Sequence, residues 1–162
     1  MNAPAPHRPD FDILTEWRLE AQPEELTAIV LDPDLIHLWC PSVFMASELI
    51  SRGGADGLGI AIRLYTKGWL PHSFVFVAEI VDLVPHRSMT IAVGGDFEGV
   101  GTMVVRPVDD RSCVADLHWR TDVVHPYVQH FKRALKPVFV WNHKWAMRSA
   151  HRLMQAEVYR RR

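Results

Sequence analysis

The chain begins with alternating apolar and polar positions and then separates into blocks of strands and helices. Residues 12–20 alternate in this way, which predicts a first strand. Two short helices are predicted over 23–31 and 33–39, because each opens on a proline that acidic residues follow.

A series of further strands is predicted between residues 42 and 123, with Gly- or Asp-rich turns between several of them. The predicted strands cover residues 42–51, 58–67, 73–83, 88–93, 97–107 and 113–123. In the last of them, every second residue from Ala115 to Val123 faces one way and charged residues face the other. Strands grouped apart from helices favour an α+β fold with an antiparallel sheet, whose apolar face needs a cover.

The final helix is predicted to supply that cover. The helical pattern starts at Pro126 and runs to about Arg160, and Pro137 is expected to kink or restart it. At about 100° per residue one side carries Val138, Phe139, Ala146, Met147, Ala150, Leu153, Met154 and Ala156. The other side carries Lys144, Arg148, His151, Arg152 and Gln155.

Asn142 and His143 are the most informative pair in the sequence, because both fall inside the apolar arc, with Ser149 beside them. A buried polar group without a hydrogen-bond partner costs about 1–3 kcal/mol. The partner can be backbone, water or a ligand, so this pair indicates a pocket.

The bulk composition narrows the class of protein. A chain of 162 residues is expected to form one domain, here residues 11–162, preceded by a flexible Pro- and Ala-rich arm over 1–10. A net charge of −1 gives no global electrostatic case for nucleic acid or membrane binding, and no apolar run is long enough to span a bilayer. The arm lacks the apolar core of a signal peptide, and two cysteines are too few for a disulfide framework, so we expect a cytoplasmic protein.

Three stretches of sequence resemble the SRPBCC superfamily, which includes START domains, the major birch pollen allergen and polyketide cyclases. The first is a strand followed by Pro-Glu-Glu-Leu at 23–26 and by Asp32-Pro33 and Leu38-Trp39-Cys40-Pro41. The second is the Gly-punctuated strand series that ends near Trp119. The third is Asn-His-Lys-Trp-Ala-Met at 142–147, similar to an Asn-His-x-Trp-x-Met helix of small bacterial cyclase-like members. Cys40 stands where that superfamily usually has a second tryptophan.

The resemblance covers about residues 11–160 and implies a helix-grip fold. In that fold a curved antiparallel sheet wraps around a long C-terminal helix, with two short helices after the first strand and a mainly apolar cavity inside. Function does not follow from this, because the superfamily includes carriers, sensors, cyclases, hydrolase regulators and oxygenase subunits.

The cavity is expected to be lined by aromatic, aliphatic and methionine side chains with few polar groups. The candidate ligand-binding residues are Leu38, Trp39, Leu64, Phe74, Phe76, Ile91, Phe97, Met103, Leu117, Trp119, Asn142, His143 and Met147. The alternative is a solid core built from the same residues.

His143 has three candidate roles: general acid or base, polar anchor for a ligand carbonyl or hydroxyl, and structural histidine bonded to the protein. Its helical arc offers no acid to orient it as a base, since Glu157 lies several turns away. No histidine pair has the i, i+4 spacing of a chelating pair, so neither a metal nor a cofactor is expected.

Charged residues on the polar sides of the strands are expected to form cross-strand pairs on the outer face of the sheet. They are Arg63, Lys67, Glu79, Asp116, His118, Arg120 and Asp122. The terminal arginines 160–162 are interpreted as a solvated helix end, and Cys40 as a small buried hydrophobe.

Three hypotheses about function follow, in order of preference. In the first, the protein binds a small hydrophobic or aromatic molecule with Asn142 and His143 as polar anchors. In the second it is a cyclase-type enzyme using His143, and in the third a protein-interaction module without a ligand. In the third case Trp69, Phe131 and Tyr159 would form the contact surface. The sequence does not decide whether the protein is an enzyme, and a homodimer stays open.

Overall fold

The computed structural model describes residues 7–67 and 73–162, in which seven strands form one antiparallel sheet. The elements in the first half are β1 (Phe11–Leu19), α1 (Pro23–Val30), α2 (Ile36–Trp39), β2 (Phe44–Arg52), β3 (Ile60–Lys67) and β4 (Ser73–Val84). Those in the second half are β5 (Ser88–Gly95), β6 (Phe97–Asp109), β7 (Ser112–Val123), α3 (Pro126–Gln129) and α4 (Lys132–Arg161). The predicted α+β fold is confirmed: the curved sheet, the long last helix and the short helices after β1 match a helix-grip fold.

Two predicted helix boundaries are corrected. The second short helix starts at Ile36 rather than at Pro33, because residues 33–35 form a turn. The last helix is interrupted before residue 132 rather than at Pro137, which lies inside α4. Proline has no N–H, so the continuous helix lacks the backbone hydrogen bond that residue 137 would otherwise donate.

The strand order places the first strand beside the last one. The order is β1-β7-β6-β5-β4-β3-β2, and β1 pairs with β7 in an unbroken register from Phe11 opposite Thr121 to Leu19 opposite Cys113. Strands β1 and β2 follow each other in the chain but lie at opposite edges. The segment between them, with α1 and α2, therefore crosses one end of the sheet.

One face of the sheet packs against α4, which buries Phe139, Ala146, Ala150, Met154 and Val158. Val138 and Ala156, expected on the apolar side, are exposed instead. Each precedes a buried residue by one position, or about 100°, so the buried stripe is narrower than the predicted arc.

The C-terminal arginines form ion pairs rather than a merely solvated end. The buried carboxylate of Glu157 accepts hydrogen bonds from Arg160 and Arg161, and the Arg162 guanidinium donates to Glu25 on α1. The Arg162 contact holds the end of α4 against α1, and the three pairs together neutralise a basic run that could otherwise attract a polyanion.

Several charged residues on the outer face of the sheet form the expected ion pairs. Arg63 pairs with Glu48, Asp116 with Arg106 and His118 with Asp12 across neighbouring strands. Asp122 pairs instead with His7, which precedes β1. None of the helices in the described residues is long and apolar enough to cross a membrane.

Candidate functional site

A cavity of about 300 Å³ lies between the inner face of the sheet and α4. Its walls are formed by the α1–α2 region, by residues from all seven strands and by residues 139–150 of α4. Aliphatic and aromatic side chains dominate the lining, and none of the described lining residues is Asp or Glu.

Twelve of the thirteen candidate residues border this cavity. They are Trp39, Leu64, Phe74, Phe76, Ile91, Phe97, Met103, Leu117, Trp119, Asn142, His143 and Met147. Leu38 is a correction, because its side chain is 62% exposed and does not border the cavity. On the single turn of α2, Ile36 and Trp39 are three residues apart and face inward, which turns Leu38 toward solvent.

The lining also includes residues that the sequence argument did not single out. Examples are Phe11 and Trp17 on β1, Ile62 on β3, and Phe139 on α4. Ile62 shares a strand face with Leu64, so strict alternation would have found it. Alternation places Trp17 on the apolar face of β1, but its position at the cavity depends on the pairing of β1 with β7, which is not a local feature.

Aromatic side chains form a connected wall on the sheet side. The ring centroids of Phe74 and Phe97 are 4.9 Å apart, and Phe97 contacts Phe76 at 5.8 Å and Trp119 at 6.1 Å. Trp119 then stacks on the imidazole of His143, at 6.0 Å between centroids and 28° between planes. Edge-to-face and offset contacts of this kind favour a rigid wall.

His143 joins this aromatic wall to α4. Its ring borders the cavity and forms no hydrogen bond with any residue that the structure describes. Burial lowers the pKa of His143 to about 4, so the imidazole is neutral at pH 7. A neutral imidazole carries one N–H donor and one nitrogen acceptor, and both remain available here.

Two further donors lie in the wall of the cavity. The indole N–H groups of Trp17 and Trp39 are buried, and neither has a hydrogen-bond partner among the described residues. Gly101 forms part of the opposite wall, where an added Cβ would lie 3.0 Å from Ile91 Cγ1 and 3.3 Å from Trp119 Cε3. The absence of a side chain at 101 therefore leaves space for the cavity.

The remaining predicted surface features are distributed around the molecule. Lys67 is exposed but also borders the cavity at the end of β3. Phe131 and Tyr159 are exposed, and the Tyr159 hydroxyl donates to the carboxylate of Glu20 at 2.6 Å. Trp69 lies outside the described residues. In the part of the chain that the structure covers, no three His, Cys, Asp or Glu side chains are grouped as a metal site would require.

Comparisons with known proteins agree with this architecture. The model of the family "Polyketide cyclase / dehydrase and lipid transport" matches residues 12–158. No curated protein sequence matches the chain.

Solved structures share the fold at low sequence identity. The Zhui aromatase/cyclase from Streptomyces sp. R1128 superposes with a TM-score of 0.73 at 11% identity, covering 93% of this chain and 94% of its own. A START superfamily protein from Mycobacterium smegmatis gives 0.70 at 16% identity, covering 93% and 99%. A conserved protein from Geobacillus kaustophilus gives 0.69 at 18% identity, covering 93% and 96%.

These identities establish the shared fold only. The family match, in contrast, extends over most of the chain and spans both the strand series and the helix with Asn142 and His143. The chain therefore belongs to the polyketide cyclase/dehydrase and lipid transport family, within the SRPBCC superfamily.

Proposed function

We propose that this protein binds a small, uncharged, largely apolar or aromatic molecule in the cavity between the sheet and α4, with His143 as its polar anchor. The observation that carries the proposal is an imidazole in an apolar cavity wall without a hydrogen-bond partner among the described residues. Leaving such a group unpaired costs free energy, and a ligand hydroxyl or carbonyl would recover it.

The charge of the lining supports an uncharged ligand. The described lining contains no carboxylate, and the lowered pKa of His143 keeps its ring neutral. A charged group buried there would lose its hydration without gaining an ion pair. Lys67 is the exposed member of the lining, so an anionic group would be tolerated only at that end.

The size and shape of the lining support a compact or planar ligand. A volume of about 300 Å³ lies at the small end of ligand pockets. The connected rings of Phe76, Phe97 and Trp119 offer aromatic faces and edges to a planar molecule. Binding would then be driven mainly by apolar burial, and His143 would set the orientation.

The test begins with native mass spectrometry of protein purified from its host, followed by denaturation and identification of any released molecule. Binding is then measured by titration with N-phenyl-1-naphthylamine, an uncharged aromatic dye. His143→Leu removes the polar anchor and should weaken binding at least about fivefold, because one hydrogen bond to a buried group is lost. His143→Gln should retain part of the affinity.

Met147→Leu is the matched control, because it changes a neighbouring lining residue on the same helix without altering polarity. Its affinity should stay close to that of the wild type. Equal affinities of His143→Leu and wild type for both the dye and the released molecule would refute the anchor role.

Proton transfer is the second candidate function. The favouring observation is that both imidazole nitrogens of His143 are unengaged by the described residues at the cavity wall. A group placed in this way can move a proton if a substrate proton lies within hydrogen-bond reach, and one protein that shares the fold is an aromatase/cyclase. A pKa of about 4 and the lack of a carboxylate in the described lining make His143 a weak base at pH 7. Incubation with a linear poly-ketone should yield a product lighter by one water if the protein cyclises it, and His143→Gln should abolish that product.

A further inference from the structure

Two buried hydrogen-bond donors of the cavity wall have no acceptor among the described residues. Trp17 on β1 and Trp39 on α2 border the cavity and are only 5% and 9% exposed, and neither indole N–H has a partner in that part of the chain. An indole nitrogen donates but does not accept, so only an acceptor atom can satisfy these groups. Because an unpaired buried donor is costly, two of them in one cavity wall indicate a ligand that carries acceptors.

The two indoles lie at a different end of the cavity from His143. Trp17 and Trp39 belong to the same buried cluster, and the Trp17 ring contacts the ring of His151 at 5.8 Å between centroids. Residue 151 follows residue 143 by eight positions, which is about 12 Å along the axis of α4.

The sheet gives a similar separation. Trp119, which stacks on His143, lies opposite Ile13 of β1. Trp17 is four residues further along the same strand, which corresponds to about 13 Å. The helix and the sheet therefore agree that the cavity has hydrogen-bonding groups at two ends, roughly 12 Å apart.

The wall between these ends is apolar. Met103, Leu117 and Met147 contribute to it, and the described lining contains no carboxylate that could accept from the indoles. A molecule that satisfies both ends needs a rigid apolar body with an acceptor at each side. Two hydrogen bonds of about 2.9 Å each fill roughly half of the separation, and the remainder corresponds to acceptors on opposite sides of one ring. Two acceptors on adjacent ring atoms would reach only one end.

We propose that the ligand is a planar para-dicarbonyl, a quinone-type molecule with its two oxygens on opposite sides of a ring. One oxygen accepts a hydrogen bond at the end formed by the indoles of Trp17 and Trp39, and the other accepts from the imidazole N–H of His143. The inference rests on the proposed function, since it names the class of molecule that the same cavity binds. It makes the two tryptophans specificity-determining residues, which favour a carbonyl compound over a hydrocarbon of the same shape.

The experiment compares 2,3-dimethyl-1,4-naphthoquinone with 2,3-dimethylnaphthalene, which has the same rings and methyl groups but no carbonyls. The methyl groups also block the ring positions at which nucleophiles add to a quinone. Binding of each compound to the full chain is measured by equilibrium dialysis. We expect the quinone to bind at least about tenfold more tightly, because donors that are otherwise unpaired at both ends gain acceptors.

Trp17→Phe/Trp39→Phe removes both indole N–H groups and keeps an aromatic ring at each position. It should weaken quinone binding at least about fivefold and hydrocarbon binding less than about threefold. His143→Leu should show the same selective loss, since it removes the donor at the other end. The hydrocarbon affinity reports whether each variant keeps a folded cavity, and the comparison of the two compounds on the wild type needs no variant.

The matched control is Trp145→Phe, which removes an indole N–H from α4 at a position outside the described cavity lining. Its affinities for both compounds should stay within about twofold of the wild type. Equal affinities of the wild type for quinone and hydrocarbon would overturn this inference and leave the proposed function intact, because the cavity would still bind an apolar molecule. Selective loss of quinone binding at only one of the two ends would also overturn it. Binding of neither compound, nor of N-phenyl-1-naphthylamine, would overturn both proposals.

Discussion

The indole of Trp119 on β7 and the imidazole of His143 on α4 are stacked, with 6.0 Å between ring centroids and 28° between ring planes. This contact joins the sheet and the helix across the cavity. Because the hydrogen-bonding edge of His143 has no partner among the described residues, packing alone fixes the ring within the protein. A ligand can therefore engage both nitrogens without first breaking a protein hydrogen bond.

His143 should make folding stability depend on pH between about 6.5 and 4. The unfolded chain protonates this histidine near pH 6.5, whereas burial keeps it neutral in the folded state down to about pH 4. The unfolded state thus binds more protons over this range, and the free energy of unfolding falls as pH falls. From pH 8 to pH 5 this group should remove about 2 kcal/mol.

Urea denaturation of wild type and His143→Leu at several pH values measures that effect. The variant should be at least as stable at pH 8, since it replaces an unpaired imidazole, and its advantage should grow as pH falls to 5. A difference between the two proteins that stays constant with pH would contradict the prediction.

Gly101 should control the usable volume of the cavity. Alanine at this position brings a methyl group to 3.0 Å from Ile91 Cγ1 and 3.3 Å from Trp119 Cε3. We expect the affinity for N-phenyl-1-naphthylamine to fall at least about fivefold, because the added group crowds the wall that the dye contacts. Gly94→Ala on the adjacent strand is the control, since its Cβ would have nothing within 4 Å. Similar affinities for the two variants would show that the dye binds elsewhere.

Glu157 should contribute stability that acid removes. The Arg160 and Arg161 guanidinium groups hold the pKa of this buried carboxyl at about 2, below its unfolded value near 4.5. Its stabilising contribution is therefore complete above pH 4.5 and is lost as pH falls toward 2. Glu157→Gln should lower the free energy of unfolding at pH 7 by about 1–2 kcal/mol.

The difference in the free energy of unfolding between Glu157→Gln and wild type should disappear at the lowest pH at which the protein folds. Glu79→Gln provides the baseline, because Glu79 is exposed and has no ion pair among the described residues. Glu79→Gln should change the free energy of unfolding at pH 7 by no more than about 0.5 kcal/mol. A Glu157→Gln deficit that does not shrink in acid would point to packing rather than charge.

The two cysteines should be inert until the protein unfolds. Cys40 and Cys113 are fully buried, and burial raises the pKa of each thiol to about 11. Since the thiolate is the reactive form, a disulfide reagent such as dithionitrobenzoate should modify neither thiol in native protein at pH 8. Both should react in denaturant, at a rate that follows unfolding. Rapid labelling of one thiol in the native state would show that the surrounding structure opens locally.

Elements with a clear repeat could be predicted from the sequence, because their pattern is local. Alternation over residues 113–123 gave β7 within one residue, and the 3.6-residue period placed His143 among apolar neighbours. The single turn of α2 is too short for a period to be measured, and the inward position of Leu38 was accordingly wrong.

The rest of the site depends on contacts between residues far apart in the chain. Alternation turns Trp17 toward the apolar face of β1, but it borders the cavity because β1 pairs with β7, and that pairing is not encoded near residue 17. The burial of Glu157 depends likewise on three-dimensional packing, since a glutamate near a helix end is exposed by default. Whether His143 has a hydrogen-bond partner depends on every element around it, so no local pattern indicates that the described residues offer none.

The pairing of the first strand with the last one has a consequence for synthesis of the chain. Phe11 finds its partner Thr121 only after more than a hundred intervening residues have been made, and the helix that closes the cavity follows still later. Contacts this distant in sequence slow the search for the native state. Until α4 emerges from the ribosome, the aromatic wall faces water, so the nascent chain is most exposed to aggregation just before its last turns are completed.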